Sequence, residues 1–323
     1  MRWGQINIRT WRPHITKLGP KVLLTHGYCD SAGCFTKLVK KLPSDWNVAG
    51  FDFPGHGDST FPKSTIPQAD LNLHSISHVV NHLGWDQFHL VGHSMGGNAS
   101  SAYNILFPEQ LQSLTLLDSD GSFIITPEYQ RIVMKMSILI DRDQSDMFYK
   151  RGRARTWKEW RTLVKNSKTD QAGTKGLTQW FPTDAVADEW LTHTLKKVDS
   201  NLWLPKTHPR IKFPFPSTTI SLSAETLLTG AKMVNTVIFC IEGSVITNKI
   251  IQPLLRIDGD KKVRWNKNRI DDDQNKEFFK LLKSNSVFAK HAQIPGTHML
   301  HLTNPLGVSK ELIDFIPKAE TKI

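Results

Sequence analysis

Cysteine is scarce and badly placed for covalent stapling. Only Cys29, Cys34 and Cys240 occur, an odd number with two of the three five apart. That excludes a disulfide framework and points to a reducing compartment. No CxxC pair is present, so a structural zinc site is not expected. No run of about 18 apolar residues occurs, so no membrane span is expected. The first twenty residues carry Arg2, Arg9, Arg12 and Lys17 and no apolar stretch, unlike a secretory signal. The last tripeptide, Thr321-Lys322-Ile323, only loosely resembles the peroxisomal Ser-Lys-Leu. A cytoplasmic location is therefore expected. Neither GxGxxG nor a phosphate-cradling P-loop pattern is found, and no cofactor or metal is expected. Internal repeats and low-complexity tracts are also absent.

What is present is ordinary globular material, with 39% hydrophobic and 22% charged residues in a chain of 323. At roughly 150 residues per domain, that length fits two domains or one domain with an insertion. The net charge of +11 is unevenly spread, since residues 121–235 hold 18 basic and 11 acidic side chains.

The first 120 residues alternate strand and helix signals. Short apolar runs at Lys21 to Thr25, Asn47 to Phe53, Phe88 to Val91 and Leu114 to Leu117 each end in turn residues or Asp118. Such runs read as buried parallel strands. Between them, Leu73, Ile76, Val79, Val80 and Leu83 recur at helical spacing. Residues 96–107 open on Gly96-Gly97 and are rich in small side chains, which suits a helix lying close on a sheet. This alternation predicts an open, mostly parallel sheet flanked by helices. From about 121 to 235 the hydrophobic period becomes helical and five of the ten tryptophans appear. This stretch reads as a largely helical insertion. Strand signals return at Thr236 to Ile241 and His291 to Ile294. A closing helix is expected over 305–316, with Leu306, Val308, Leu312, Ile313 and Phe315 as its apolar positions.

Gly92-His93-Ser94-Met95-Gly96 matches G-x-S-x-G, with a strand before it and a glycine-opened helix after it. That is the context of a nucleophile elbow, where a strained turn exposes a serine hydroxyl beside a helix N-terminus. Ser94 is thus the candidate nucleophile. In such architectures the backbone N–H of the residue after the nucleophile and one from the loop after an earlier strand bind the oxyanion. Those donors are Met95 and Tyr28, the latter in His26-Gly27-Tyr28. The His26 ring is expected to shape its loop. Thirteen histidines occur, so position and order select the base. His298 follows the last strand and Pro295-Gly296 and is favoured over His301, which is expected to support the loop. The acid is Asp118, at the end of the fourth strand, with Glu242 as the alternative and Asp120 and Asp258 as outsiders.

The stretches HGYCDSAGCF (26–35), FDFPGHGDS (51–59), LVGHSMGG (90–97), LLDSDG (116–121) and IPGTHMLHLTNP (294–305) resemble the serine hydrolase-like family of α/β-hydrolases. The resemblance implies an α/β-hydrolase core at 1–120 and 236–323, a helical cap at 121–235, and hydrolysis of an ester or related acyl bond. It departs after the 236–241 strand, where no aspartate follows the glycine. A serine at the elbow favours acyl transfer over the alkyl-ester chemistry of aspartate-bearing relatives. The expected ligand is a small acyl substrate, with nucleic acid not expected as a partner. Two other functions stay open: a non-catalytic ligand-binding pseudoenzyme, and a thioesterase acting on anionic acyl thioesters. Lys150 to Arg161 (KRGRARTWKEWR) interleaves six basic residues with Trp157 and Trp160. It reads as a solvated helical face of the cap, or less simply as an anion-binding surface.

Overall fold

The computed structural model describes residues 4–11, 19–62, 68–119, 152–166, 180–212, 237–243, 255–257, 263–265 and 289–320. Their strands are β1 (Ile8–Thr10), β2 (Lys21–Thr25), β3 (Asn47–Phe51), β4 (Phe88–His93), β5 (Leu111–Leu117), β6 (Leu195–Asp199), β7 (Leu202–Pro205), β8 (Val237–Gly243), β9 (Leu255–Ile257), β10 (Val263–Trp265) and β11 (Ala289–Ile294). The helices are α1 (Thr36–Val39), α2 (Gln68–Leu83), α3 (Met95–Leu106), α4 (Trp157–Asn166), α5 (Asp184–Thr194), α6 (Leu300–Thr303) and α7 (Pro305–Glu320).

Seven strands form one sheet in the order β1-β3-β2-β4-β5-β8-β11. Only β1 runs antiparallel, against β3. From β2 the chain steps to β3 on one side, and β4 then returns to pair with β2 on the other. The loops leaving β2 and β4 therefore diverge at the carboxyl edge, where open α/β sheets place their ligand crevices.

With side chains alternating between two covered faces, β2, β4 and β5 read as near-continuous apolar runs. Val22, Leu24, Val48, Val91 and Leu117 bury one face under α1 and α7 side chains such as Leu38, Leu312 and Phe315. Leu23, Ala49, Phe51, Leu90, Leu114 and Leu116 bury the other under Ile76, Val79, Val80 and Tyr103. On α2 the expected Leu73, Ile76, Val79 and Val80 are buried, and Leu83 is packed against the same cluster. On α7 two expected core positions are corrected. Leu306 is 51% and Ile313 38% exposed, while Ile316 is buried with Val308, Leu312 and Phe315. At 100° per residue the buried four share one side of the helix, and 306 and 313, seven apart, share the other.

Between β5 and β8 the described chain is not purely helical, because β6 and β7 form an antiparallel hairpin. Its turn is fastened by the Asp199 carboxylate, which accepts from the Ser200 N–H at 2.6 Å. Helices α4 and α5 pack together through Trp160, Val164, Phe181, Ala187 and Leu191, and this cluster reaches Met299 and Leu302 beyond β11. The described part of the basic stretch is engaged internally. Trp160 is buried and donates to the Trp203 carbonyl at 2.9 Å, Trp157 donates to Asp188 at 2.7 Å, and Arg161 pairs with Asp188 at 2.7 Å. Lys150, Arg151, Asp120 and Asp258 lie outside the described residues. Among the described residues no helix is long and apolar enough to cross a membrane.

The facing of α7 has a measurable consequence. Phe315→Ala is expected to lower the unfolding free energy by about 3–5 kcal/mol, and Ile313→Ser by no more than about 0.5 kcal/mol. Urea denaturation of both variants checks the ranking, and equal losses would contradict this packing.

Candidate active site

Ser94 stands between β4 and α3 with φ 50° and ψ −119°. A non-glycine residue held there stores about 1–3 kcal/mol, so the surroundings must over-determine it. They do so by close backbone approach. A Cβ on Gly96 would lie 2.4 Å from the Thr25 carbonyl oxygen, so only glycine lets the first turn of α3 sit on the end of β2. The Ser94 N–H donates to the Leu117 carbonyl at 3.2 Å, and the Ser119 hydroxyl donates to the Ser94 carbonyl at 3.0 Å. The elbow is thereby tied to the end of β5.

That tie brings Asp118, the first residue past β5, to the same edge. Its own φ is 45°. The turn after β11 supplies His298, locked by the Thr297 hydroxyl, which donates to the Trp180 carbonyl at 2.9 Å. His298 Nδ1 lies 2.5 Å from Asp118 Oδ2, and Nε2 lies 3.0 Å from Ser94 Oγ. A carboxylate only accepts, so the imidazole proton sits on Nδ1 and the Nε2 lone pair faces the serine hydroxyl. Side-chain exposure is 11% for His298 and 7% for Asp118, so the charge-assisted bond is largely shielded from water. Asp118 makes this contact, and the Glu242 side chain lies outside the described ones. Glu242 occupies the sixth position of β8, in register with Gln293 of β11.

The two expected oxyanion donors flank the serine. Met95 opens α3, whose N-terminus carries the positive end of the helix dipole. Tyr28 follows Gly27, where an added Cβ would lie 3.3 Å from the Ser94 Cβ. The Tyr28 hydroxyl donates to the Ile211 carbonyl at 2.6 Å, tethering this loop to the segment after β7.

His26 shapes its loop. Its Nε2 accepts from the Phe53 N–H at 2.9 Å, which leaves Nδ1–H to donate to the Gly27 carbonyl at 2.8 Å. Both nitrogens are committed, and burial lowers its pKa. Asp52 staples the neighbouring loops by accepting from the backbone of Ala32 at 2.8 Å and Asp58 at 2.9 Å. Three features escaped the sequence: the Trp180 ring 4.8 Å from that of His298, the His93 bond to the His298 carbonyl, and the Asp30–His301 contact. Their only trace was the acid in HGYCD and the second histidine of GTHMLH.

Residues 20–146 match the family model described as alpha/beta hydrolase fold. The whole chain superposes on solved proteins of that fold. For a hypothetical protein of Pseudomonas aeruginosa PAO1 the TM-score is 0.68 at 20% identity, over 97% of this chain and 95% of that one. This chain has the α/β-hydrolase fold. A second solved α/β-hydrolase neighbour is a thioesterase domain from the curacin biosynthetic pathway, with TM-score 0.63 and 15% identity over 96% of this chain and 95% of that one. Among curated relatives, this chain is 38% identical over 120 residues to a serine hydrolase-like protein of Danio rerio. That match covers 37% of this chain and 36% of the relative.

Several buried histidines of this chain resist protonation. Burial first, and then His26, lowers His56 to about 3 from its ordinary 6.5. Burial likewise lowers His93, with His301 and His298 adding to the effect. The unfolded chain takes up these protons near pH 6.5 and the folded one does not, so stability falls as pH drops from there. The slope approaches about 1.4 kcal/mol per pH unit per ring. Urea midpoints are expected to fall between pH 7.5 and pH 5, less steeply in His56→Gln. An unchanged slope in that variant would contradict the assignment.

Proposed function

We propose that this α/β-hydrolase is a serine esterase that cleaves an ester or related acyl bond through an acyl-enzyme. Ser94 is the nucleophile, His298 the general base, Asp118 the orienting acid, and the Tyr28 and Met95 N–H groups the oxyanion donors. The observation carrying this is the single hydrogen-bonded line from Asp118 Oδ2 through His298 to Ser94 Oγ, at 2.5 and 3.0 Å. Residues 121–235 are taken as a cap over a core of 1–120 and 236–323.

The chemistry follows from that line. As Ser94 Oγ attacks the acyl carbon, its proton moves to His298 Nε2, and Asp118 stabilises the imidazolium without taking the proton. Charge collects on the acyl oxygen, where two backbone donors in a shielded site contribute about 3–4 kcal/mol each. The imidazolium then protonates the leaving alcohol or thiol. Water repeats the sequence on the acyl-enzyme. No step requires a cofactor.

A thioester substrate is a second reading, favoured by the basic excess of residues 121–235, 18 against 11, which suits an anionic carrier. The likeness to a thioesterase domain points the same way.

Ser94→Ala and His298→Ala are each expected to lower p-nitrophenyl ester turnover by roughly 10³-fold or more with the unfolding midpoint retained. Asp118→Asn should depress kcat by orders of magnitude with little change in KM, and Glu242→Gln far less. A folded protein in which a fluorophosphonate probe leaves Ser94 unlabelled would be a ligand-binding pseudoenzyme. A kcat/KM for acyl-thioesters well above that for matched esters would establish the thioester reading.

A further inference from the structure

Directly behind His298 lies a second acid–imidazole pair for which the three-residue line has no use. Asp30 is 1% and His301 0% exposed, and His301 Nε2 is 3.3 Å from Asp30 Oδ2. The His301 ring lies 4.5 Å from that of His93, which in turn lies 4.9 Å from that of His298. His93 is the residue immediately before the elbow serine. Its Nε2 is 2.8 Å from the backbone carbonyl of His298.

We propose that Asp30 and His301 position the general base by holding the ring of His93, which secures the His298 backbone through its Nε2–H. The inference rests on His298 being the base.

The His298 carbonyl can only accept a hydrogen bond. His93 must therefore carry its proton on Nε2 and leave Nδ1 as a lone pair. Nδ1 is buried without a hydrogen-bond partner, so ring packing must help to hold the plane of the imidazole. The His301 ring supplies that packing, with centroids 4.5 Å apart, and Asp30 Oδ2 stands 3.3 Å from His301 Nε2. Burial, with His301 and then His298 adding to it, keeps the His93 ring neutral. The Nε2–H thus stays aimed at the His298 carbonyl and opposes a shift of the turn that would lengthen the contact with Ser94. A misplacement of about 1 Å at a reacting group can cost about 10²-fold in rate.

Asp30, His93 and His301 also present ligand atoms within 4.8 Å of one another, the donor types that divalent metals take. The experiment must separate the two roles. His93→Phe is expected to lower kcat for p-nitrophenyl butyrate at least tenfold with KM unchanged. It should slow fluorophosphonate labelling of Ser94 by a similar factor. His93→Gln, whose amide N–H reaches the same carbonyl, should recover most of both. The double variant Asp30→Asn/His301→Gln removes the carboxylate and the imidazole together, so neither is left buried without the other. Its loss should resemble that of His93→Phe, and combining the two should add little, because both act through one contact.

If the double variant keeps wild-type kcat and labelling while His298→Ala is dead, this proposal fails and the esterase reading stands. If His298→Ala is fully active, both fall. If the double variant does not fold, the His93→Phe and His93→Gln pair decides, and equal activities would overturn the proposal. Stoichiometric zinc in the purified protein, lost from the double variant by elemental analysis, would make the cluster a metal site and also overturn it.

Discussion

The contact on which the rest of the structure depends is the seating of α3 on the carboxyl end of the sheet. The Thr25 carbonyl at the end of β2 leaves no room for a side chain at Gly96. This close approach confines the connection between β4 and α3 to a single residue, Ser94, and forces that residue to φ 50°. The strain is held by bonds on both sides. The Ser94 N–H reaches Leu117, its carbonyl accepts from Ser119, and the Thr25 hydroxyl lies 2.9 Å from that of Ser100 on α3. Exposure of the hydroxyl is a consequence of backbone packing.

Around that point the molecule keeps charge in few places. The carboxylates of Asp30, Asp52 and Asp118 are buried, and each meets specific donors or an imidazole, as buried charges must. His26, His56 and His93 are kept neutral chiefly by burial. In low-dielectric surroundings an unpaired charge is expensive and an aimed dipole is effective. The same burial that makes the site sensitive to acid makes its hydrogen bonds directional.

The segment between β5 and β8 is coupled to the site by packing. Its aromatic cluster reaches Met299 and Leu302, which bracket the turn that follows His298. Trp180 touches the His298 ring and accepts from Thr297. On the other side Lys206 pairs with Asp58 at 2.9 Å, and Tyr28 is bonded to Ile211. Movement of this segment would thus be felt at both His298 and the Tyr28 loop.

Much of the sheet was legible in the sequence because parallel strands buried on both faces must be apolar throughout, and β2, β4 and β5 read that way. The elbow was legible because a strained serine between close-packed backbones needs glycines at fixed offsets. The helix α7 was found, but two of its core positions were assigned to the wrong side, since Leu306 and Ile313 are apolar without being buried. The hairpin of β6 and β7 escaped because Lys196 and Lys197 hide a short strand pair among charges.

The choice between Asp118 and Glu242 stayed open at the level of sequence, since both stand near the ends of adjacent strands. Strand order and the turn at Asp118 decide which carboxylate meets His298 Nδ1. The Asp30–His301 pair is separated by more than 270 residues, and no local pattern specifies it. Sequence determined what is periodic or local: strands, helices, the elbow and the order of its partners. Only the tertiary structure decided which distant polar groups share a buried space, because that depends on loop paths over the sheet edge and on which groups must pair once water is gone.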